Sequence, residues 1–446
     1  MSNDKGGSVS NTQIKIDPMY DWAVDLFPFC RSLSGQGVRD TFNYLKNLLP
    51  GLDVHSASTG FRAFDWTVPD EWNIRAAYIE DSSGKRIVDF RDNNLHVLNY
   101  SEPVDKWVDL TELDRHLYSL PEMPDAIPYV TSYYKKRWGF CLTHEQRLSL
   151  QNGQYRVVID STLEPGNIHY GELLIPGTED REVLISTYVC HPSMANNELS
   201  GLVVTTALAR WLLSLRQRRY SYRFVFVPET IGSIVYLSIH SDEMKAKTVA
   251  GFVVTCVGDE RTFSYLPSRY GNTLSDRAAL HVLNNFVDNF DCYSFLDRGS
   301  DERQYCSPGI ELPVASIMRS KYGVYPEYHT SKDDLTLISQ VGLTDAFEVY
   351  QKTLLAIEHN RVWRNVVPCE PQMGKRGLYP SIGTRTHEAG VGGTSYPARK
   401  IMDVLAYADG TNDLIALAEH SNIPVWDLVE IIEILKKAEL VVEVKR

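Results

Sequence analysis

Apolar and polar positions change period several times along the chain, and each change predicts an element boundary. Residues 19–50 carry apolar positions at helical spacing, in DWAVDLFPFCRSL and again in VRDTFNYLKNLLPG. From about 55 to 125 the spacing shortens to that of strands, with FRAFDWTV, AAYIED and RIVDF separated by the turn signals SSGK and RDNN. That stretch predicts a small β-rich domain inserted into a larger one that spans 19–54 and 126–360. SLQNGQYRVVID and GELLIPG continue the β texture beyond it.

From about residue 180, wholly apolar runs alternate with helical ones. VLISTYVC, YRFVFVPET, VAGFVVTCVGD and LPVASIMRS read as buried strands. GLVVTTALARWLLSLRQ, IGSIVYLSIHSDEM, SDRAALHVLNNFVDNF and GLTDAFEVYQKTLLAIEHN read as the helices between and after them. The order predicts an α/β fold, a mostly parallel sheet with helices on both faces. Residues 361–395, rich in Gly, Pro and Arg, read as a linker. Three helical pieces and the strand-like VVEV predict a winged helix over 396–446.

A chain of 446 residues, 43% hydrophobic and 23% charged, suits two or three soluble domains with a sizeable core. The polar first 18 residues read as a disordered tail rather than a signal peptide, and no apolar run is long enough to span a membrane. Seven scattered cysteines without C-x-x-C pairs point to reduced thiols and a cytoplasmic location. A net charge of −12 disfavours nucleic acid as a partner. The winged-helix segment does too, with nine acids against four Lys/Arg over 401–446. That segment is expected to contact protein, as in a homo-oligomer.

Ligands of an open parallel sheet sit beyond the carboxyl ends of its strands. Here those ends lead into His191 and Glu198, into Glu229, into Asp259, and through KYGVYPEY into His329. Two histidines with nearby carboxylates are the donor types of a metal site with an open position for water. Cys190 precedes His191, but neighbours on a strand point to opposite faces and make a poor nucleophile–base pair. No nucleotide-binding glycine motif or G-x-S-x-G elbow occurs.

These residues carry a resemblance. EYHTSKDDL, FVFVPETIGS, NNELSG and GSDERQYCSPGI resemble segments of the co-catalytic zinc aminopeptidases, and the whole chain resembles a bacterial aminopeptidase-like family with an inserted β domain and a C-terminal winged helix. The resemblance implies that His191, Glu198 and His329 hold zinc, one ion or two, with Asn197, Asp259 or Asp334 as further ligands or supports. It implies Glu229 as general base. Asp301, Arg303, Arg319 and Tyr328 are candidates for substrate binding. The chain departs from the family pattern where Asn197 replaces a zinc-bridging Asp, Thr230 replaces a second Glu, and Thr255 stands near an expected Asp.

The implied activity is hydrolysis of an amide in a small peptide-like substrate with a free amino group. Peptide cleavage, deacylation of an amino sugar and tailoring of a biosynthetic intermediate all remain open. A reading from another class is a degenerate relative that binds a ligand or partner without catalysis.

Overall fold

The computed structural model describes residues 17–379 and 390–445; residues 1–16 of the expected tail and 380–389 of the expected linker lie outside them. At its centre Ser221–Val227, Glu182–Tyr188, Thr248–Val253 and Val314–Met318 lie side by side and parallel. Asn167–Ile175 and Asp53–Ser58 extend one edge antiparallel, and Phe263–Leu266 with Phe290–Cys292 extend the other.

Every residue of Glu182–Tyr188 is buried, because helices or a second layer cover both faces. The pleat divides its side chains. Val183 and Ile185 enter a core with helices Ser200–Ser214 and Gln340–His359, while Leu184 enters another with helix Ile231–Lys247 and the β module. The helix Ser200–Ser214 begins so close to the sheet that a Cβ on Gly201 would lie 2.3 Å from the Val254 carbonyl oxygen. The Gly of NNELSG is therefore a packing requirement.

The inserted module runs further than the pattern predicted. Its sheet has the order Arg86–Asp89, Glu71–Glu80, Gln154–Glu164, Val104–Asp109, so a strand beyond residue 125 sits near its middle. Tyr155, Val157 and Ile159 of that strand are buried in the module core. A separate hairpin, Arg62–Ala63 with Trp66–Thr67, packs over helix Ile231–Lys247.

The winged helix also begins earlier than predicted. Val362–Asn365, assigned to a linker by composition, is the middle strand between Asp409–Asp413 and Val441–Val444. Helices Ala398–Tyr407, Leu414–Ser421 and Val425–Lys437 complete the domain. It is docked on the α/β domain. Arg277 makes a bidentate pair with Asp413 at 2.7 and 2.6 Å, and the Val425 amide donates to His281 Nε2 at 3.0 Å. Trp426 packs against His281, Phe286 and Lys352. No helix among the described residues is long and apolar enough to cross a membrane.

Candidate active site

The parallel strands deliver their reactive residues to one end of the sheet. Glu182–Tyr188 ends before Cys190, so Cys190 and His191 lie in the exit loop, not on opposite faces of a strand. Cys190 Sγ is 3.5 Å from His191 Nδ1, and the Glu229 amide donates to that sulfur at 3.2 Å. The loop turns at Ser193, φ +46, and enters a single π turn, Ala195–Leu199. Asp333 anchors this turn by accepting from the Asn196 and Asn197 amides at 2.6 and 3.0 Å, and from the Tyr325 hydroxyl at 2.7 Å.

The wide turn brings Glu198 back to His191. Its Oε2 lies 3.0 Å from His191 Nδ1, and Arg31 Nε lies 3.5 Å from its Oε1. Arg31 also donates to the His191 carbonyl at 3.1 Å, and neither its side chain nor that of Glu198 is exposed to solvent. Burial raises the Glu198 carboxyl to about 8 against the opposing pull of Arg31. Burial and the Arg31 charge hold His191 down at about 3, so its ring is neutral. With Nδ1 engaged by Glu198, Nε2 is the nitrogen left for chemistry, and it lies 3.7 Å from Glu229 Oε2.

His329 has φ +57, a left-handed conformation uncommon for a residue with a Cβ. Its carbonyl accepts from the Tyr129 amide at 2.9 Å, and its ring stacks on Tyr328 with centroids 3.9 Å apart. The His191 and His329 ring centroids are 5.3 Å apart. Burial, then His191, holds His329 at about 3, and its Nε2 is buried without a hydrogen-bond partner.

Glu229 is 18% exposed, towards a cavity of about 350 Å³ that His191 and His329 also line. Burial and the neighbouring Asp301 charge raise its carboxyl to about 8, with Arg303 opposing. The rest of the wall is Trp66, Tyr129, Thr131, Tyr133, Tyr134, Cys190, Thr230 and Ile231. The sequence reading missed its aromatic part, although YVTSYY over residues 129–134 was a readable signal.

Several candidates stand elsewhere. Asp259 is saturated by the Asn196 side chain, the Arg261 amide, and the Ser320 amide and hydroxyl, and so acts as a brace. Asp334 caps its own turn through Thr336. The Asn197 side-chain oxygen accepts from Tyr188 at 3.1 Å. Arg319 pairs with Asp345 and lies over Phe263, in a different cleft. Asp301 is fully buried and holds the Thr230 turn by accepting from the Thr230 amide and Ser233 hydroxyl at 2.8 and 2.7 Å. Arg303 donates to the Thr230 hydroxyl, and Tyr328 supports His329 from behind. None of these four substrate-binding candidates lines the cavity.

Two places offer metal donors. Cys190, His191 and Glu198 have ligand atoms within 4.8 Å of one another, a group that His329 does not join. Those atoms already contact one another, and Arg31 places a buried positive charge at Glu198, which opposes a cation there. The cavity side fits better: His191 Nε2 and His329 Nε2 are on neutral rings, one without any partner, and Glu229 faces the same space. In this geometry Glu198 contacts His191 Nδ1 and Arg31 and does not line the cavity, where the resemblance had implied a direct ligand.

Comparison with known proteins agrees with the architecture. Residues 20–360 match the family model of a domain of unknown function, DUF4910, and residues 361–443 match a winged helix-turn-helix. The chain belongs to the DUF4910 family. This family member is 45% identical over 406 residues, 90% of its own length and 91% of the relative's, to a Clostridium acetobutylicum protein provisionally named a polysaccharide biosynthesis protein with an aminopeptidase-like domain. It is also similar to a crystal structure from Clostridium acetobutylicum, provisionally named a peptidase, with a TM-score of 0.89, 41% identity and 96% of both chains covered. BSAP, a zinc aminopeptidase from Bacillus subtilis, shares the fold at a TM-score of 0.55 and 13% identity, over 76% of this chain and 94% of that one. The fold is therefore aminopeptidase-like, with a C-terminal winged helix.

Proposed function

We propose that this DUF4910 protein is a metal-dependent hydrolase of an amide bond in a small substrate. The observation that carries the reading is the convergence of His191 Nε2, the unpartnered His329 Nε2 and Glu229 on one cavity at the carboxyl ends of parallel strands. The two histidines would hold the ion, zinc by analogy with the fold relatives. A zinc ion in such a place supplies Lewis acidity to an amide carbonyl and lowers the pKa of water.

The chain's own groups have distinct tasks. Glu198, backed by Arg31, fixes His191 in the tautomer that leaves Nε2 free. Glu229 is the one carboxylate in the cavity wall and is placed to take a proton from the attacking water and return it to the leaving amine. Burial raises the proton affinity of Glu229, which suits a group that must hold a proton between the two steps, and a cation at His191 and His329 would favour its ionised form. Asp301 is buried and outside the wall, so among the described lining residues a substrate amino group has no carboxylate besides Glu229 to pair with.

The test is metal content per chain by elemental analysis, alongside amide turnover. About one zinc per chain in the wild type, lost in both His191→Ala and His329→Ala, supports the assignment. Glu229→Gln is expected to retain metal and lose turnover. Metal lost in that variant would make Glu229 a ligand instead, and a wild type that binds no metal when supplied with it would end the hydrolase reading.

A further inference from the structure

The cavity wall has an unusual charge pattern for a site that takes peptides. Among the described residues its lining contains no Lys or Arg, and Glu229 is its only acid. The nearest guanidinium, Arg303, stands behind the wall and donates to the Thr230 hydroxyl, so a substrate carboxylate would have no cation in the lining itself to pair with. The wall instead presents aromatic faces and hydroxyls, from Trp66, Tyr129, Thr131, Tyr133, Tyr134 and Thr230.

The most exposed aromatic pair of the wall is fixed by local contacts. Trp66 and Tyr134 remain 39% and 55% exposed, with ring centroids 5.9 Å apart and planes tilted by 57°. The Tyr134 hydroxyl donates to the Thr67 carbonyl at 2.8 Å, tying its loop to the Arg62–Ala63/Trp66–Thr67 hairpin. That hairpin turns through Phe64, at φ +55, where Asn or Gly is the ordinary choice. Trp66 on a strained hairpin and Tyr134 on the loop tied to it, both partly exposed at the cavity, are not accounted for by core packing.

We propose that the inserted module gives this cavity a carbohydrate-binding wall, in which Trp66 and Tyr134 stack on the ring of an N-acylated amino sugar whose amide faces Glu229. The proposal rests on the hydrolase reading for the position of the amide. A pyranose ring is neutral, offers a C–H face to each aromatic plane, and offers hydroxyls to the Tyr and Thr oxygens. Its uncharged character matches a wall without cations, and its flat faces match the aromatic pair. Release of the acyl group adds water across the C–N bond: the acyl carbon gains the hydroxyl and the sugar nitrogen the proton, and the acid so formed gives its own proton to the amine, leaving a carboxylate and an ammonium.

Binding rather than turnover is the measurement, made on the full chain and on Glu229→Gln so that no product accumulates. N-acetylglucosamine, N-acetylgalactosamine and their β-linked disaccharides are titrated by saturation-transfer NMR, with Ala-Ala as the peptide probe. We expect at least one sugar to bind, Trp66→Ala or Tyr134→Ala to weaken it about tenfold, and Trp66→Tyr to restore most of it. Both rings are partly exposed, so these variants are expected to fold; unchanged thermal unfolding verifies this. No sugar binding, binding indifferent to both alanine variants, or Ala-Ala binding in preference to every sugar would each overturn the wall. Sugar binding in a protein without metal or turnover would instead end the hydrolase reading and leave the wall standing.

Discussion

At the scale of single residues, the site is organised by a buried charge that the sequence pattern did not announce. Arg31 follows an apolar helical stretch and carries no motif, yet it is unexposed and braces both Glu198 and the His191 carbonyl. A buried ion whose partner is removed is costly, about 3–5 kcal/mol. At pH 9, where Glu198 with its raised pKa of about 8 is ionised, Arg31→Met should therefore lower the unfolding free energy from urea titration by that amount, and the double variant Arg31→Met/Glu198→Leu should recover part of it. An unchanged free energy in the single variant would mean that Glu198 is not charged in the folded protein. His191, Glu229 and His329 were legible because strand ends and carboxylate spacing mark them. Cys190 was misread because the strand was taken two residues too far, and its contact with His191 depends on where that strand stops.

At the scale of elements, the legible parts are those with a local period, and the missed parts are pairings over long separations. The central strands and the helices after them follow from runs of apolar residues. The module boundary does not, because Gln154–Glu164 reaches back to pair with Glu71–Glu80 and Val104–Asp109, and nothing local in it names those partners. The π turn depends on a similarly remote residue. Asp333 is 0% exposed and caps Asn196 and Asn197 from more than a hundred positions away, a partner that nothing local in KDDL names. Asp333→Ala should cost about 1–2 kcal/mol as a lost cap. It should also loosen His191, seen as faster amide hydrogen exchange at residues 195–199. Unchanged exchange there would show that packing alone holds the turn.

At the scale of the whole molecule, the winged helix is docked on the α/β domain rather than tethered to it. In helix-turn-helix proteins the second of the paired helices enters the groove by its first residues. Here the first turn of Val425–Lys437 is occupied: the Val425 amide donates to His281 Nε2, and Trp426 lies against His281, Phe286 and Lys352. Composition alone had argued against a nucleic-acid role through charge; the docking adds a steric reason. The contact is also sensitive to pH. His281 accepts through Nε2, so protonation removes the acceptor and leaves the Val425 amide unsatisfied. Burial lowers His281 from 6.5 to about 4, so it binds fewer protons folded than unfolded between those values. Its contribution, about 3 kcal/mol from that shift, is present above pH 6.5 and lost as pH falls towards 4. The Arg277–Asp413 pair acts in a separate window, because Asp413 is held below its ordinary 3.8 and its contribution goes only at lower pH. Trp426 fluorescence followed from pH 7 to 4 should therefore shift before global unfolding, and His281→Gln should flatten that early shift. An early shift of equal size in His281→Gln would assign it to another group and leave the docking contact independent of His281.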